Sequence, residues 1–241
     1  MEWHDDGIVL AARKHGESSA IVTLLTREHG RHLGLVRGGA GRRKRGLFQP
    51  GNRVHATWRA RLAEHLGSYT CEMTEAVSAP FLDDPARLAA LSAACAVADA
   101  ALPEREDHAP VYEGLLILLE SIASDAWPTV YVKWELGLLQ ELGFGLDFSC
   151  CAATGTMENL AFVSPKSARA VSTEAAAPYK KSLLPLPAFL LESGRPGTPE
   201  SIVEGLKLTG YFLAKEVFSH GKSGAAPAAR DRFIERMRKS R

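Results

Sequence analysis

The sequence contains no apolar stretch near the ~20 residues that a membrane-spanning helix needs. Its first ten residues, MEWHDDGIVL, carry acids where a secretory signal carries bases. The four cysteines, at positions 71, 95, 150 and 151, do not have the spacing of a disulfide framework. We therefore expect a cytoplasmic protein that makes no contact with a membrane.

The motifs of common catalytic sites are missing as well, since the chain has no G-x-S-x-G, H-E-x-x-H or G-x-G-x-x-G sequence. The histidines have no companion cysteine or clear carboxylate dyad. Two adjacent cysteines, Cys150 and Cys151, cannot by themselves supply the four ligands of a zinc site, and residues 145–219 hold no other cysteine and no histidine. We expect a protein without enzyme activity, without a cofactor and without a bound metal.

Charge is distributed unevenly along a chain whose net charge is only +1. Residues 27–61 hold ten Lys/Arg against one acid, whereas residues 72–126 hold eleven acids against two bases. The tail, residues 221–241, is basic again. An asymmetry on this scale predicts a polyanionic partner for the first segment, although the run at 42–45 taken alone also fits a solvated loop.

Residues 7–76 have the pattern of five short strands separated by glycines, which predicts a small β-barrel. In the stretch NRVHATWRAR, strict alternation places Val54, Ala56 and Trp58 on the inner face and leaves a cationic stripe outside. If the polyanionic partner is a nucleic acid, Phe48 and Trp58 are candidates for stacking on its bases, although for Trp58 the alternation favours a place in the core.

From Pro80 onward the sequence becomes helical. Helical periodicity predicts helices in 83–102, 111–122 and 127–144, an irregular region at 145–172, and helices at 183–191, at 199–219 and in the basic tail. The fold class is therefore α+β, with a barrel domain at 1–79 and a mostly helical domain at 80–241. In the irregular region, Cys151-Ala152-Ala153-Thr154 has the spacing of half a zinc ribbon, with threonine replacing the second cysteine.

Several segments together resemble the RecO family of bacterial DNA repair proteins. The resemblance covers essentially the whole chain, and its segments keep the family's order and spacing: GIVLAARKHGESSAIVTLLTREHGRHLGLVRGGAG, LFQPGNRV, YVKWELGLLQELGFGLDF, FVSPKSARAVS and LLPLPAFL. The resemblance implies an N-terminal oligonucleotide/oligosaccharide-binding (OB) barrel followed by a helical domain. Some family members carry a four-cysteine zinc ribbon after the long helix, and this chain has a degenerate zinc-ribbon-like region that lacks the second cysteine pair.

The function implied by the resemblance is that of a recombination mediator in the RecF pathway. Such a protein binds single- and double-stranded DNA, anneals complementary strands and, with RecR, helps to load the RecA recombinase onto DNA coated by the single-strand-binding protein. Whether RecF takes part is left open. The protein would be associated with the nucleoid. With this implication, the cations of the barrel become the candidate DNA-binding residues: Arg37, Arg42, Arg43, Lys44, Arg45, Arg53, Arg59 and Arg61.

The resemblance also implies that the acidic C-terminal tail of the single-strand-binding protein docks on the helical domain. Such a tail needs an apolar pocket beside a cation. The candidate docking site is Lys133 with Tyr131, Trp134 and Leu138. The alternative is that the three apolar residues belong to the hydrophobic core, and in that case the face at 115–119 is the next candidate docking site.

A second function uses the same cations. An RNA- or ribosome-associated binding module built on the same barrel would carry the same basic stripe. Competition between single-stranded DNA and structured RNA distinguishes the two.

Overall fold

The computed structural model describes residues 1–192, 194–220 and 224–239, except for the side chains of Arg43 and His220. The chain forms two compact units: Met1–Leu119 together with Pro227–Phe233, and Glu120–Ala226 together with Ile234–Arg241. The boundary that we predict at residue 80 follows a change of composition, whereas these units follow packing. No helix within the described ranges is long and apolar enough to cross a membrane.

The first unit is built on a closed five-stranded barrel. Its strands pair in the order β1-β2-β3-β5-β4, and β4 pairs with β1 to close it. This is the strand order of an OB fold, so the predicted fold class is confirmed. The strands are β1 Glu2–His15, β2 Ser19–Thr26, β3 Gly30–Val36, β4 Arg53–Arg59 and β5 Ser68–Glu75, with a one-turn helix, α1 Arg42–Arg45, between β3 and β4.

The interior of the barrel holds the residues that alternation predicts. Val54, Ala56 and Trp58 of β4 are at most 2% exposed and pack against inward side chains of β1, β2 and β5. The Trp58 indole N–H donates to the carbonyl of Leu66. Gly67 lies directly against this ring, with a φ of +62°, and a side chain there would overlap the indole.

Two helices, α2 Pro85–Ala101 and α3 Ala109–Ser121, follow the barrel in the first unit. Asp84 caps α2 by accepting the N–H groups of Ala86 and Arg87, and Pro85 occupies the first turn. Because α2 packs against β1, residues on both faces of that strand are buried, Ile8 and Leu10 as well as Val9. The loop from β4 to β5 is held by the Arg105 guanidinium, which donates to the carbonyls of Ala63 and His65.

The second unit combines helices with a small sheet. Its elements are α4 Trp127–Glu141, β6 Leu160–Val163, β7 Ala170–Ser172, α5 Thr173–Ala176, β8 Leu184–Pro185 and α6 Pro199–Phe212. The tail helix, α7 Ala228–Lys239, has residues assigned to each of the two units. The sheet has the order β7-β6-β8, and α4 packs on α6. The predicted helices at the chain positions of α2, α3, α4 and α7 are thus present.

Two of the predicted helices need correction. Residues 183–191 form β8 and a single 3-10 turn, Ala188–Leu190, instead of a helix. Pro185 and Pro187 provide no backbone N–H, so the helical ladder cannot form there. In the segment predicted as one helix at 199–219, the α-helix ends at Phe212. A π-helical turn, Leu213–Val217, and then a 3-10 turn follow it.

A buried histidine in the barrel makes the stability of the first unit depend on pH. His32 is 3% exposed, next to the rings of Trp3, Trp58 and Tyr69. Burial, together with the positive charge of Arg105, lowers the pKa of His32 to about 4. The unfolded chain therefore binds a proton at His32 between about pH 6.5 and 4 that the folded protein does not bind.

We predict that the free energy of unfolding falls by about 2 kcal/mol between pH 7 and pH 5 through His32 alone. Above the pKa of His32 in the unfolded chain, the histidine is neutral in both states and does not reduce stability. As the pH falls below that value toward the pKa of His32 in the folded protein, proton binding to the unfolded chain lowers the free energy of unfolding. Urea unfolding at both pH values measures it, with His32→Asn as the matched control. An equally steep pH dependence in the variant would assign the effect to other groups.

Candidate nucleic-acid interface

The exposed cations of the barrel are concentrated on α1. Arg42, Lys44 and Arg45 are exposed, and no acid lies in the first turn of the helix. Arg43 belongs to the same turn, but its side chain lies outside the described residues. Lys44 Nζ donates to the carbonyl of Arg37, at 3.3 Å, so Arg37 lies beside the turn. We call Arg37, Arg42, Lys44 and Arg45 the α1 cation cluster.

The residues that follow α1 fix it to the barrel. Phe48 is 4% exposed and packs in the barrel core. Asn52, which is buried, donates its side-chain amide to the carbonyls of Gly46 and Leu47, at 2.9 and 3.3 Å. An aromatic anchor and a buried amide therefore hold a turn whose like charges repel one another.

The cations of β4 are in a different electrostatic state, because each has an acidic partner on a neighbouring strand. Arg53 pairs with Glu75 of β5 at 2.8 Å, and Arg59 pairs with Glu2 of β1 at 2.7 Å. The hydrogen bond between Arg59 and Glu2 raises the pKa of the guanidinium and lowers that of the carboxyl, so both stay charged at neutral pH. His55 similarly lies 3.0 Å from Asp6.

The structure therefore divides the seven predicted DNA-binding residues whose side chains it describes into two groups. Arg53 and Arg59 are already neutralised by pairing. Within the described part of the chain, no ion pair involves the four members of the α1 cation cluster or the exposed Arg61. Because a phosphate can replace water on a free cation more easily than it can replace a carboxylate, the unpaired group is the stronger candidate interface.

The two aromatic candidates for base stacking are not available at this interface. Phe48 and Trp58 are 4% and 2% exposed and belong to the barrel core. For Phe48 the prediction of an exposed stacking ring is wrong, because the segment after α1 folds back into the barrel. For Trp58 the place in the core that alternation favours is confirmed.

Comparison with known proteins identifies the family. Residues 1–77 match the family model "Recombination protein O N terminal", and residues 82–225 match "Recombination protein O C terminal". The DNA repair protein RecO of Rhodospirillum centenum is 52% identical over 100% of this chain and 96% of its own length. The DNA repair protein RecO of Rhodospirillum rubrum is 51% identical over 99% of this chain and 97% of its own length. That of Afipia carboxidovorans is 49% identical over 100% of this chain and 98% of its own length.

The chain belongs to the RecO family. The family predicted from the sequence is thus confirmed, and membership gives the chain a role in DNA repair and recombination. The predicted domain boundary at residue 80 lies in the short interval between the two family models.

The zinc-ribbon character of the irregular region is not confirmed. Within the residues that the structure describes, no three His, Cys, Asp or Glu side chains lie close enough together to hold a metal ion. Cys151 is buried in a small apolar cluster with Val171 and Ala176, and its sulfur accepts the backbone N–H of Ser172 at 3.2 Å. An apolar cluster and a backbone hydrogen bond thus hold Cys151 in place.

The Cys151 sulfur has an unusual environment for a buried thiol. Burial raises its pKa, but hydrogen bonds from the Thr154 hydroxyl, from the N–H and hydroxyl of Ser172 and from the N–H of Ala153 outweigh burial and lower the pKa to about 6.

The predicted partner-binding residues of α4 do not form an exposed surface together. Tyr131, Trp134 and Leu138 are 0%, 6% and 2% exposed, and only Lys133 is exposed. Most of the alternative face at 115–119 is buried as well, with Ile117 as its exposed member. The apolar residues of α4 recur at helical spacing, as predicted, but they are buried in the core and are not exposed for a partner.

We predict that reversing Arg42, Arg43, Lys44 and Arg45 to glutamate weakens binding to every DNA sequence tested. Each lost phosphate contact reduces the steepness of log K against log salt by about 0.7 for single strands and about 0.9 for duplex. Anisotropy titrations at several salt concentrations measure both values. The control is the double variant Arg53→Gln with Glu75→Gln, which removes an ion pair without changing the net charge. An unchanged salt dependence in the reversal variant would show that α1 is a solvated turn that does not bind DNA.

We predict that tag-free protein contains no stoichiometric zinc and that a chelator leaves its thermal unfolding midpoint unchanged. Cys151→Ala, in contrast, should lower the free energy of unfolding by about 1–3 kcal/mol, because it leaves the buried N–H of Ser172 without its acceptor. Elemental analysis and thermal unfolding provide the measurements. One zinc per chain, or a midpoint that falls on chelation, would contradict the prediction.

Proposed function

We propose that the chain is a non-enzymatic mediator of homologous recombination that binds single- and double-stranded DNA and anneals complementary strands. The observation that carries the proposal is the α1 cation cluster, a group of exposed and unpaired cations on an OB barrel of the RecO family. Association with the nucleoid follows from the same binding.

The physical basis of annealing is the neutralisation of phosphate charge. Cations that bind phosphates release condensed counterions, and this gain does not depend on sequence. A guanidinium binds phosphate oxygens through a planar fork of donors, and a lysine acts as a point charge. A surface of this kind lowers the repulsion between two strands without choosing among bases, which is what an annealing protein requires.

We further propose that the protein acts with RecR to load RecA onto DNA coated by the single-strand-binding protein. Its contact to the coat is the acidic C-terminal tail of that protein. Lys133 is the exposed cation of the predicted docking site, and the burial of its three apolar companions means that the tail must use neighbouring surface.

Strand annealing by the purified protein tests the proposal. We expect complementary oligonucleotides to anneal faster with the protein than without it, both naked and coated with single-strand-binding protein. The α1 reversal variant should lose this acceleration, because it no longer neutralises phosphates. Fluorescence-resonance transfer between labelled strands measures the rate.

The same preparation tests two alternatives. Stronger competition by structured RNA than by single-stranded DNA of equal length would favour an RNA-associated function. Measurable hydrolysis of ATP or DNA would contradict a non-enzymatic role. An annealing rate equal to that of protein-free DNA would end the proposal.

We predict that Lys133→Glu lowers affinity for the acidic tail peptide and leaves the annealing of naked DNA intact, because Lys133 is the exposed cation of the predicted docking site and lies outside the α1 cation cluster. Peptide anisotropy and the annealing assay measure the two effects, and Lys207→Glu on α6 is a matched lysine control in the same unit. Equal peptide affinity in wild type and Lys133→Glu would move the docking site elsewhere.

A further inference from the structure

The second unit contains a cavity of about 440 Å³ beside the small sheet. Its apolar wall includes Ala152, Ala153, Val171 and Leu183. The volume lies in the range of ligand-binding pockets, ~300–1,000 Å³. None of the functions assigned above uses this cavity.

The turn at Cys151 forms one wall of the cavity. Two backbone hydrogen bonds close the turn, from Gly155 N–H to the Cys151 carbonyl at 2.9 Å and from Cys151 N–H to the Thr156 carbonyl at 2.7 Å. Ala152 N–H donates to the Ala170 carbonyl and attaches the turn to β7. Because the side chains at 152 and 153 are only methyl groups, the space in front of them stays open.

The rim of the cavity combines an aromatic ring with lysines. Tyr179 lines the cavity and is 66% exposed, more than any other aromatic side chain in the described part of the chain. It lies on a 3-10 turn, Ala177–Ser182, that also carries the exposed Lys180 and Lys181. Lys166 lines the cavity as well. Lys180 Nζ lies 5.8 Å from the centre of the Phe162 ring, which orients this lysine.

This combination matches the chemistry of a single-strand contact. Proteins that bind single strands pair cations along the backbone with aromatic rings on which bases stack. The barrel offers free cations, but its candidate rings, Phe48 and Trp58, are buried. An exposed tyrosine beside lysines provides both the ring and the cations of such a contact within the second unit.

We propose that this cavity accepts an unpaired base of single-stranded DNA, with Tyr179 as its stacking partner and Lys166 and Lys180 binding the adjacent phosphates. The proposal rests on the single-strand binding proposed above and adds a second contact to it. Hydroxyls of Ser164, Ser167 and Ser182 along the cavity provide donors and acceptors for the polar edge of any base. Duplex DNA cannot use the site, because its bases are already stacked and paired.

Anisotropy titrations with labelled oligo(dT) and with a duplex of equal length test the proposal on the full chain. We expect Tyr179→Ala to weaken oligo(dT) binding about tenfold, within the ~1–3 kcal/mol of one base–aromatic stack, and to change duplex binding less than twofold. Tyr179→Phe keeps the ring and should bind like wild type. Phe144→Ala removes another partly exposed ring of the same unit, far in sequence from any lysine, and should have no effect.

A second variant tests the cavity from its other wall. Ala153→Leu fills the space while Tyr179 stays in place, and it should weaken oligo(dT) binding to a similar extent. Circular dichroism and thermal unfolding of each variant verify the fold.

The proposal is overturned if Tyr179→Ala binds oligo(dT) like wild type, or if single-strand and duplex binding fall equally. Loss of binding to an acidic peptide with unchanged DNA binding would assign the cavity to a protein partner instead and would also overturn it. The α1 reversal variant, measured in parallel, keeps the two proposals separate, because it should weaken single-strand and duplex binding together. An effect of Tyr179→Ala without an effect of the α1 reversal would reject only the barrel interface.

Discussion

The pairing of β1 with β4 is the constraint on which the rest of the first unit depends. It closes the barrel over sequence separations that run from 57 residues, where Glu2 lies opposite Arg59, to 45 residues, where Ile8 lies opposite Arg53. Closure removes two strand edges and buries Trp58. The same register places acids of β1 beside cations of β4, so it also determines which charges remain free for a ligand.

The consequence of that register is a separation of charge on the barrel. Arg59 and Arg53 are balanced by Glu2 and Glu75, whereas α1 carries its cations without acidic neighbours in its first turn. Exposed pairs of this kind contribute little to stability, typically below about 1 kcal/mol, so their main effect here is to remove two positions from the phosphate-binding surface. The cost of gathering like charges on α1 is offset by the buried Phe48 and Asn52 that follow it.

The turn at Cys151 is held by distributed contacts. The backbone N–H of Ser172 donates to the Cys151 sulfur, and Cys151 packs in an apolar cluster with Val171 and Ala176. The Asp147–Arg169 ion pair and the backbone pairing beside it join the turn to β7. Distributed contacts of this kind permit small residues at 152 and 153, and with them the cavity.

The sequence by itself determined the features that depend on local pattern. Alternation in β4 predicted Val54, Ala56 and Trp58 inside, and helical periodicity with the Asp84–Pro85 start predicted α2, because strand and helix geometry repeat every two and every 3.6 residues. The order of segments was enough to indicate the family. Local pattern failed at 183–191, where two prolines overrode a hydrophobic run that resembles a helix. Only the tertiary structure decided which cations are free, because Glu2 and Glu75 meet Arg59 and Arg53 through strand register. It also decided that the stripe of Tyr131, Trp134 and Leu138 is covered and that Tyr179 is exposed, because the sequence gives the face of a helix or turn but not what packs against it.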